Sequence, residues 1–168
     1  MITHEKLVDV LEYDAFTGKF TWRARSDVPK WWNTKYAGKQ AGNQDAHGYI
    51  TLCIDGRAYK AHRMAWLYIT GYIPSVEIDH KDGVRENNAF SNLRLATDLQ
   101  NAVNAKKRSD NNSGFKGVSW HASSRKWQAQ INVNGLRKSL GYFSSPKAAS
   151  DVYLAKAAEL HGEFVRFE

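Results

Sequence analysis

The stretch EIDHKDGVRENNAFSNLRLAT, residues 77–97, sets Asp79, His80, Asp82, Asn87, Asn88, Asn92 and Arg94 between the apolar positions Ile78 and Leu95. Asp79 offers a hard oxygen ligand, and His80 an imidazole that is neutral near physiological pH. Asn101, on the helix expected next, offers a second oxygen for a hard cation such as Mg²⁺. Such a set suits phosphodiester hydrolysis: the cation offsets charge on the phosphate and the leaving 3′-oxygen, and the imidazole takes a proton from the attacking water. Asn92 would brace the intervening loop by hydrogen bonds to backbone groups. Neighbouring strand residues point to opposite faces, so Asp79 and His80 need the strand to bend beside them, and Lys81-Asp82-Gly83 has turn chemistry.

Working outward, residues 97–108 read as a helix carrying Leu99 and Val103 with Gln100, Asn101 and Asn104. Upstream, GYITLCIDGRAYKA (48–61) is a hairpin signal turning at Asp55-Gly56, and HRMAWLYITGYIP (62–74) reads as a buried helix closed by Gly71 and Pro74. Near the start, Thr3 caps a helix with Leu7, Val10 and Leu11 on one face, ending near Tyr13; Lys19 to Arg23 is a short strand. Residues 24–42 give no assignable pattern.

Past SDNNSG, three strand-like runs follow: Phe115 to Ala122, Trp127 to Val133 and Leu136 to Phe143, the last two joined by Asn134-Gly135. Trp127, Ala129, Ile131 and Val133 alternate with Gln128, Gln130 and Asn132, so one face is core and the other wet. A helix capped by Ser145, with Pro146 in its first turn and Ala149, Val152, Tyr153, Ala157 and Leu160 inward, covers the core face. The open face carries amides that can read adenine in a major groove, flanked by Lys116, Arg125, Lys126 and Arg137.

The 168 residues carry a formal net charge of +7. Lys106 to Lys138 alone holds eight basic residues against one Asp, so the remainder is balanced. A surplus so concentrated, interleaved with Trp120, His121 and Trp127, draws a polyanion, with nucleic acid the usual candidate. Lys106, Lys107 and Arg108 are placed either for phosphate contact or as a solvated helix end. The single cysteine, Cys53, excludes an intrachain disulfide and zinc sites built on paired cysteines; a buried strand position is expected for it. Met64 to Ile69, the longest apolar run, is too short to span a bilayer, and MITHEKL lacks a secretory pattern, so no membrane partner and a cytoplasmic location are expected.

The ordered strings AHRMAW, IDHKDG, NN, NLRLAT and QNAVN, within Gly48 to Asn104, resemble the HNH homing-endonuclease family of phages and introns. That resemblance implies a ββα-metal (His-Me finger) core, one divalent ion (Mg²⁺ or Mn²⁺, no zinc), and products with 5′-phosphate and 3′-hydroxyl ends. It also implies a phage gene expressed in a bacterial host. By matching position, Asp79 binds the metal, His80 is the general base, Asn92 is structural and Asn101 is the second ligand, with Asn104 the competing choice. Common members have His at that last position and carry zinc-binding cysteine pairs, both missing here. Arg63 and Arg94 are candidate DNA contacts.

SGFKGVSW, KWQAQI, LGYF and AASDVYLAKAAELHGEF are similar to the Apetala-two/ethylene-response-factor domain, which lays a three-stranded sheet in the major groove. Matching positions put Lys116, Gly117, Ser119, His121, Gln130, Asn132, Arg137 and Ser139 near DNA.

The expected class is therefore α+β: an HNH nuclease domain with an N-terminal extension (1–109), a linker (110–114), and a small three-stranded antiparallel sheet packed on one helix (115–168). The expected function is metal-dependent cleavage of double-stranded DNA, by nicking or double-strand breakage, with monomer and homodimer both open. The alternative is a sequence-specific DNA-binding regulator on the same scaffold without turnover.

Overall fold

A computed structural model describes residues 2–104, 111–133 and 135–165, in two compact units, Met1–Thr97 and Asp98–Glu168. The class is α+β, and every strand pair is antiparallel.

In the first unit, α1 (His4–Val10) starts at Thr3, whose Oγ1 accepts the Lys6 N–H at 3.2 Å. It stops at Val10, short of the expected Tyr13. Residues 11–14 instead form β1 (Leu11–Asp14), pairing with β2 (Lys19–Trp22) in the register Leu11↔Trp22 to Asp14↔Lys19. Leu11 fits a helix face after Leu7, but Leu11 and Tyr13 are buried while Glu12 and Asp14 are exposed, a two-residue period that strand pairing satisfies. The unassigned stretch contains α2 (Lys30–Tyr36), where Trp32 packs edge-on against Trp22.

Strand β3 (Gln40–Ala41) extends the first sheet, and β4 (Asn43–Gln44), β5 (Ile50–Ile54) and β6 (Arg57–Lys60) make the second. At the β5–β6 turn Asp55 and Gly56 both have positive φ, 49° and 76°, as a two-residue hairpin turn requires. Cys53 is exposed rather than buried: Leu52 and Ile54 take the inward side of the pleat, and Cys53, between them, faces outward. Helix α3 (Ala61–Thr70) closes at Gly71 (φ 80°), whose N–H returns to Leu67 O at 2.9 Å. Strands β7 (Glu77–His80) and β8 (Leu93–Ala96) form a two-stranded ladder.

One core serves the whole unit. Leu7, Val10, Leu11, Tyr13 and Phe20 are clustered with Leu52, Ile54, Met64, Leu67, Ile78 and Leu93. Each large apolar side chain so buried contributes about 1.5–3 kcal/mol, so the segment expected to be an extension is a structural half of this unit.

The second unit contains α4 (Asp98–Asn104), β9 (Val118–His121), β10 (Lys126–Val133), β11 (Leu136–Phe143) and α5 (Pro146–His161). The division at Thr97/Asp98 precedes the 110–114 linker that composition suggests, and it groups α4 with the C-terminal strands. Helix α4 packs with the 3₁₀ turn Gly162–Phe164. The sheet order is β11-β10-β9, with a register shift between Ala129 and Gln130. Ala129 and Ile131 join Val118, Ala149, Tyr153 and Ala157 in the core, with Trp127 and Val133 against it. Ala149, Tyr153 and Ala157, four apart, define the inner face of α5. Val152 and Leu160, expected there, lie off it and are exposed.

Gly117 marks the closest approach of sheet to helix. Its φ is +72°, and a Cβ there would sit 2.2 Å from Tyr153 Cδ2 and 2.9 Å from Gln130 O. At Gly114, φ is +77° but a Cβ would meet nothing within 4 Å. Gly114→Ala should therefore cost only the backbone strain, about 1–2 kcal/mol. Gly117→Ala should cost about 2–5 kcal/mol, adding overpacking to that strain. Urea denaturation of the two variants measures the difference, and equal losses would contradict this packing.

Candidate active site

The β7–β8 ladder stays in register to its end, Glu77↔Ala96, Ile78↔Leu95, Asp79↔Arg94 and His80↔Leu93. The turn begins immediately afterwards, with the Gly83 N–H donating to His80 O and the Lys81 N–H to Asn92 O, both at 2.9 Å. Asp79 and His80 are both buried.

His80, only 4% exposed, has its Nε2 3.1 Å from Asn88 Oδ1. Asn88 Nδ2 donates to Glu86 O at 3.1 Å, which fixes the amide so that its oxygen faces the ring. An amide oxygen only accepts, so the contact places hydrogen on Nε2 and makes Nδ1 the lone-pair nitrogen of the neutral ring. Burial lowers the His80 pKa below the ordinary histidine value, opposed by the Asn88 bond and by the charges of Asp82 and Asp79. The His62 ring stands edge-on at 5.2 Å, and Tyr49 lies 6.1 Å away. Lys60 and Arg85 each approach the Tyr49 ring, at 5.2 and 4.8 Å. Lys60 also pairs with Asp45, whose carboxylate accepts the His47 and Tyr49 N–H groups.

Asn92 and Asp82 lace the loop after His80. Asn92 Oδ1 accepts the Asp82 N–H at 3.2 Å, and its Nδ2 donates to Asp82 Oδ1 at 3.0 Å and to Asn87 O at 2.8 Å. Asn87 Nδ2 donates to Asp82 Oδ2 at 2.7 Å. Burial pushes the Asp82 carboxyl up, but the Val84 N–H and the Asn87 and Asn92 amides together hold it below the usual range.

Arg94 is buried, not displayed for DNA as expected. Its Nε and Nη2 donate to Asp79 Oδ2 at 3.0 and 2.9 Å. Arg63 lies beside the Pro74 carbonyl, 3.4 Å from Nη2. Among the described residues no three His, Cys, Asp or Glu side chains cluster around a common point. A carboxylate such as that of Asp79 is a hard-oxygen donor of the kind that Mg²⁺, an ion that keeps several of its waters, accepts. Asn101 and Asn104 lie on α4 in the other unit, Asn101 half-buried and Asn104 buried. The sequence marks Asn88 only as half of the Asn87-Asn88 pair, eight residues past His80, and not as the residue that meets the ring.

In the second unit, strand pairing puts Ser119, His121, Lys126, Gln128, Gln130, Asn132, Arg137, Ser139 and Tyr142 on the face opposite the core. Gln128 is buried at its centre. Its Nε2 donates to Ser139 Oγ and to the Tyr142 hydroxyl, both at 3.1 Å, and its Oε1 accepts from Gln130 Nε2 at 2.7 Å. Arg125 is exposed on the β9–β10 turn, and Lys116 is half-buried just before β9. Lys106, Lys107 and Arg108 lie outside the described residues.

His62 generates a stability prediction. Its ring is buried, Nδ1 has no hydrogen-bond partner among the described residues, and burial, then the His80, Arg63 and Lys60 charges, lower its pKa from 6.5 to about 3. Between those values the unfolded chain binds a proton that the folded chain refuses, so stability falls as pH drops from 6.5 toward 3. His62→Phe should flatten that fall by up to about 1.4 kcal/mol per pH unit. Urea midpoints at pH 7.5, 5.5 and 4.5 test it, and parallel wild-type and variant profiles would refute it.

A family model described as HNH endonuclease (HNH_3) matches residues 59–103. Protein 3.8 of Escherichia phage T7 is 34% identical over 112 residues, 66% of this chain and 92% of that protein. Uncharacterized HNH endonuclease L560 of Acanthamoeba polyphaga mimivirus is 37% identical over 105 residues, 61% of this chain; the chain spans about half of that protein, 54%. A solved structure described as DNA binding and cleavage by the HNH homing endonuclease I-HmuI is similar with a TM-score of 0.43 and 20% identity, over 90% of this chain and 84% of that one. No described helix is long and apolar enough to cross a membrane. With a relative above 30% identity spanned almost end to end, and the family signature falling across Asp79 and His80, the chain belongs to the HNH endonuclease family.

Proposed function

We propose that the chain is a divalent-metal-dependent endonuclease of double-stranded DNA, with a phosphodiester-cleaving site at the end of β7 and a DNA-binding sheet in the C-terminal unit. The observation that carries the reading is the buried His80 imidazole, held through Nε2 by Asn88 and adjacent in sequence to the carboxylate of Asp79. In this reading Nδ1 accepts a proton from water as that water attacks phosphorus. A lowered pKa keeps the imidazole neutral and able to accept at pH 7. Asp79, oriented by Arg94, and Asn101, or Asn104 in its place, would hold a Mg²⁺ or Mn²⁺ ion. When bound, that ion supplies positive charge to the phosphate and to the leaving 3′-oxygen. Asn92 keeps the loop between the two strands closed through Asp82 and Asn87. The products would carry 5′-phosphate and 3′-hydroxyl ends.

The outward sheet of the second unit is the proposed DNA surface. Ser119, His121, Gln130, Asn132 and Ser139 would lie toward bases. Lys116, Arg125, Lys126 and Arg137, with Lys106, Lys107 and Arg108, would supply phosphate contacts. Gly117 would bring backbone close.

With Mg²⁺ or Mn²⁺, supercoiled plasmid or phage DNA should become nicked or linear, and EDTA should stop the reaction. His80→Ala should slow cleavage about 10²–10⁴-fold while still retarding DNA in a gel. Undiminished cleavage by that variant would remove His80 from the base role. Arg137→Ala should weaken binding and reduce the slope of log K against log salt by about 0.9, and an unchanged slope would take Arg137 off the DNA surface.

A further inference from the structure

Asn88 is 2% exposed and holds His80 through its side chain, so whatever holds Asn88 decides where the imidazole sits. The backbone oxygen of Asn88 accepts the Tyr13 hydroxyl at 2.7 Å, a buried bond between residues 75 apart in sequence. Two residues on, the Phe90 N–H donates to Ala15 O at 2.9 Å. Between these bonds lies Gly18, at φ +73°. A Cβ there would come 2.2 Å from both Ala89 N and the Asn88 carbonyl carbon, and 2.8 Å from Asn88 Cα.

All three contacts come from the β1–β2 hairpin, outside the family-matched residues 59–103. The hairpin turn is itself stiff. The Asp14 carboxylate accepts the Phe16 and Thr17 N–H groups and the Thr17 hydroxyl, at 2.9, 3.2 and 2.7 Å, and the Gly18 N–H returns to Asp14 O at 2.8 Å. Asn88 also borders a cleft of about 220 Å³ that it shares with Thr17, Phe20, Gln44 and Glu86. The loop holds this segment from within, the Asn88 N–H donating to Glu86 O at 3.1 Å and the Ala89 N–H to Asn87 Oδ1 at 3.3 Å, and the hairpin bonds anchor it from outside the loop.

We infer that Tyr13 and the Gly18 turn are positioning residues for His80. They clamp residues 88–90 so that Asn88 Oδ1 meets Nε2–H and Nδ1 stays the lone-pair nitrogen. This rests on His80 being the base. A clamp of this kind acts on turnover and not on DNA affinity, because it touches neither phosphate nor bases.

Tyr13→Phe is the sharp test, since it keeps the ring against Phe20 and Tyr68 and removes only the hydroxyl. It should lower kcat for plasmid nicking about tenfold or more with KM unchanged. Gly18→Ala should do the same or worse, and Asn88→Asp, which retains an acceptor oxygen, should keep more activity than Asn88→Ala. A control in the same core, Val10→Ala, should lose melting temperature yet keep kcat at 20–25 °C. Independently of turnover, ¹⁵N NMR of the His80 ring should report the Nε2–H tautomer in the wild type and a mixture in Tyr13→Phe. An unchanged tautomer with unchanged kcat in Tyr13→Phe overturns the inference and leaves the nuclease reading intact. If the wild type cleaves no DNA with either metal, the nuclease reading fails, while the tautomer measurement still decides whether the hairpin sets the ring.

Discussion

A buried imidazole must have one nitrogen's proton assigned by a neighbour, and the choice of neighbour sets its chemistry. Here the Asn88 amide oxygen meets His80 Nε2 at 3.1 Å. A carboxylate at 3 Å would stabilise the imidazolium and raise the pKa, leaving a ring that already holds the proton it is meant to accept. An amide oxygen orients the ring without contributing net charge, and burial then holds the pKa down. Asp79 and Asp82 pull in the opposite direction, but Asp79 is matched by Arg94 and Asp82 by the Asn87 and Asn92 amides. Thus the two acids nearest in sequence have partners of their own, and the Asn88 amide orients the ring.

The crowding of polar residues between Ile78 and Leu95 follows from this arrangement. The loop between β7 and β8 has no sheet partner, so its backbone donors need other acceptors. Asp82 Oδ1 takes the Val84 N–H, Asn92 Oδ1 the Asp82 N–H and Asn87 Oδ1 the Ala89 N–H. Asn and Asp bond readily to backbone groups close in sequence, and here they make a loop with its own internal ladder. These side chains are connectors, and the rigidity they supply ends at Asn88.

What could be read from the sequence divides along the same line. The Asp55-Gly56 turn, the α3 stop at Gly71 and the core face of β10 were all legible, because each depends on local backbone chemistry or on alternation. The α1 boundary was not: Leu7, Val10 and Leu11 satisfy helical spacing, and only pairing with Trp22 makes Leu11 a strand residue. Nor was the pairing of Arg94 with Asp79, since its register opposite Asp79 requires knowing the β7–β8 pairing. Asn88 was hidden for a related reason. It sits beside Asn87 and close to Asn92, and nothing local distinguishes the one that meets His80 from those that brace the loop. That distinction is made by Tyr13, far away in sequence.

The same reasoning bears on how the proposed DNA face would work. Of the outward amides on β10, Gln128 is 7% exposed, its Nε2 is shared between Ser139 and Tyr142, and its Oε1 is taken by Gln130. An amide so engaged could offer both a donor and an acceptor to adenine only after breaking bonds it already has, at about 0.5–1.5 kcal/mol for each. Asn132 and Arg137, which pair across the β10–β11 ladder, are exposed beyond that network. The central amides are engaged with one another and with Ser139 and Tyr142, so on the proposed DNA face discrimination between sequences would fall to the Asn132–Arg137 end of the sheet. There an amide and a guanidinium stand side by side, the first able to pair with adenine and the second with guanine.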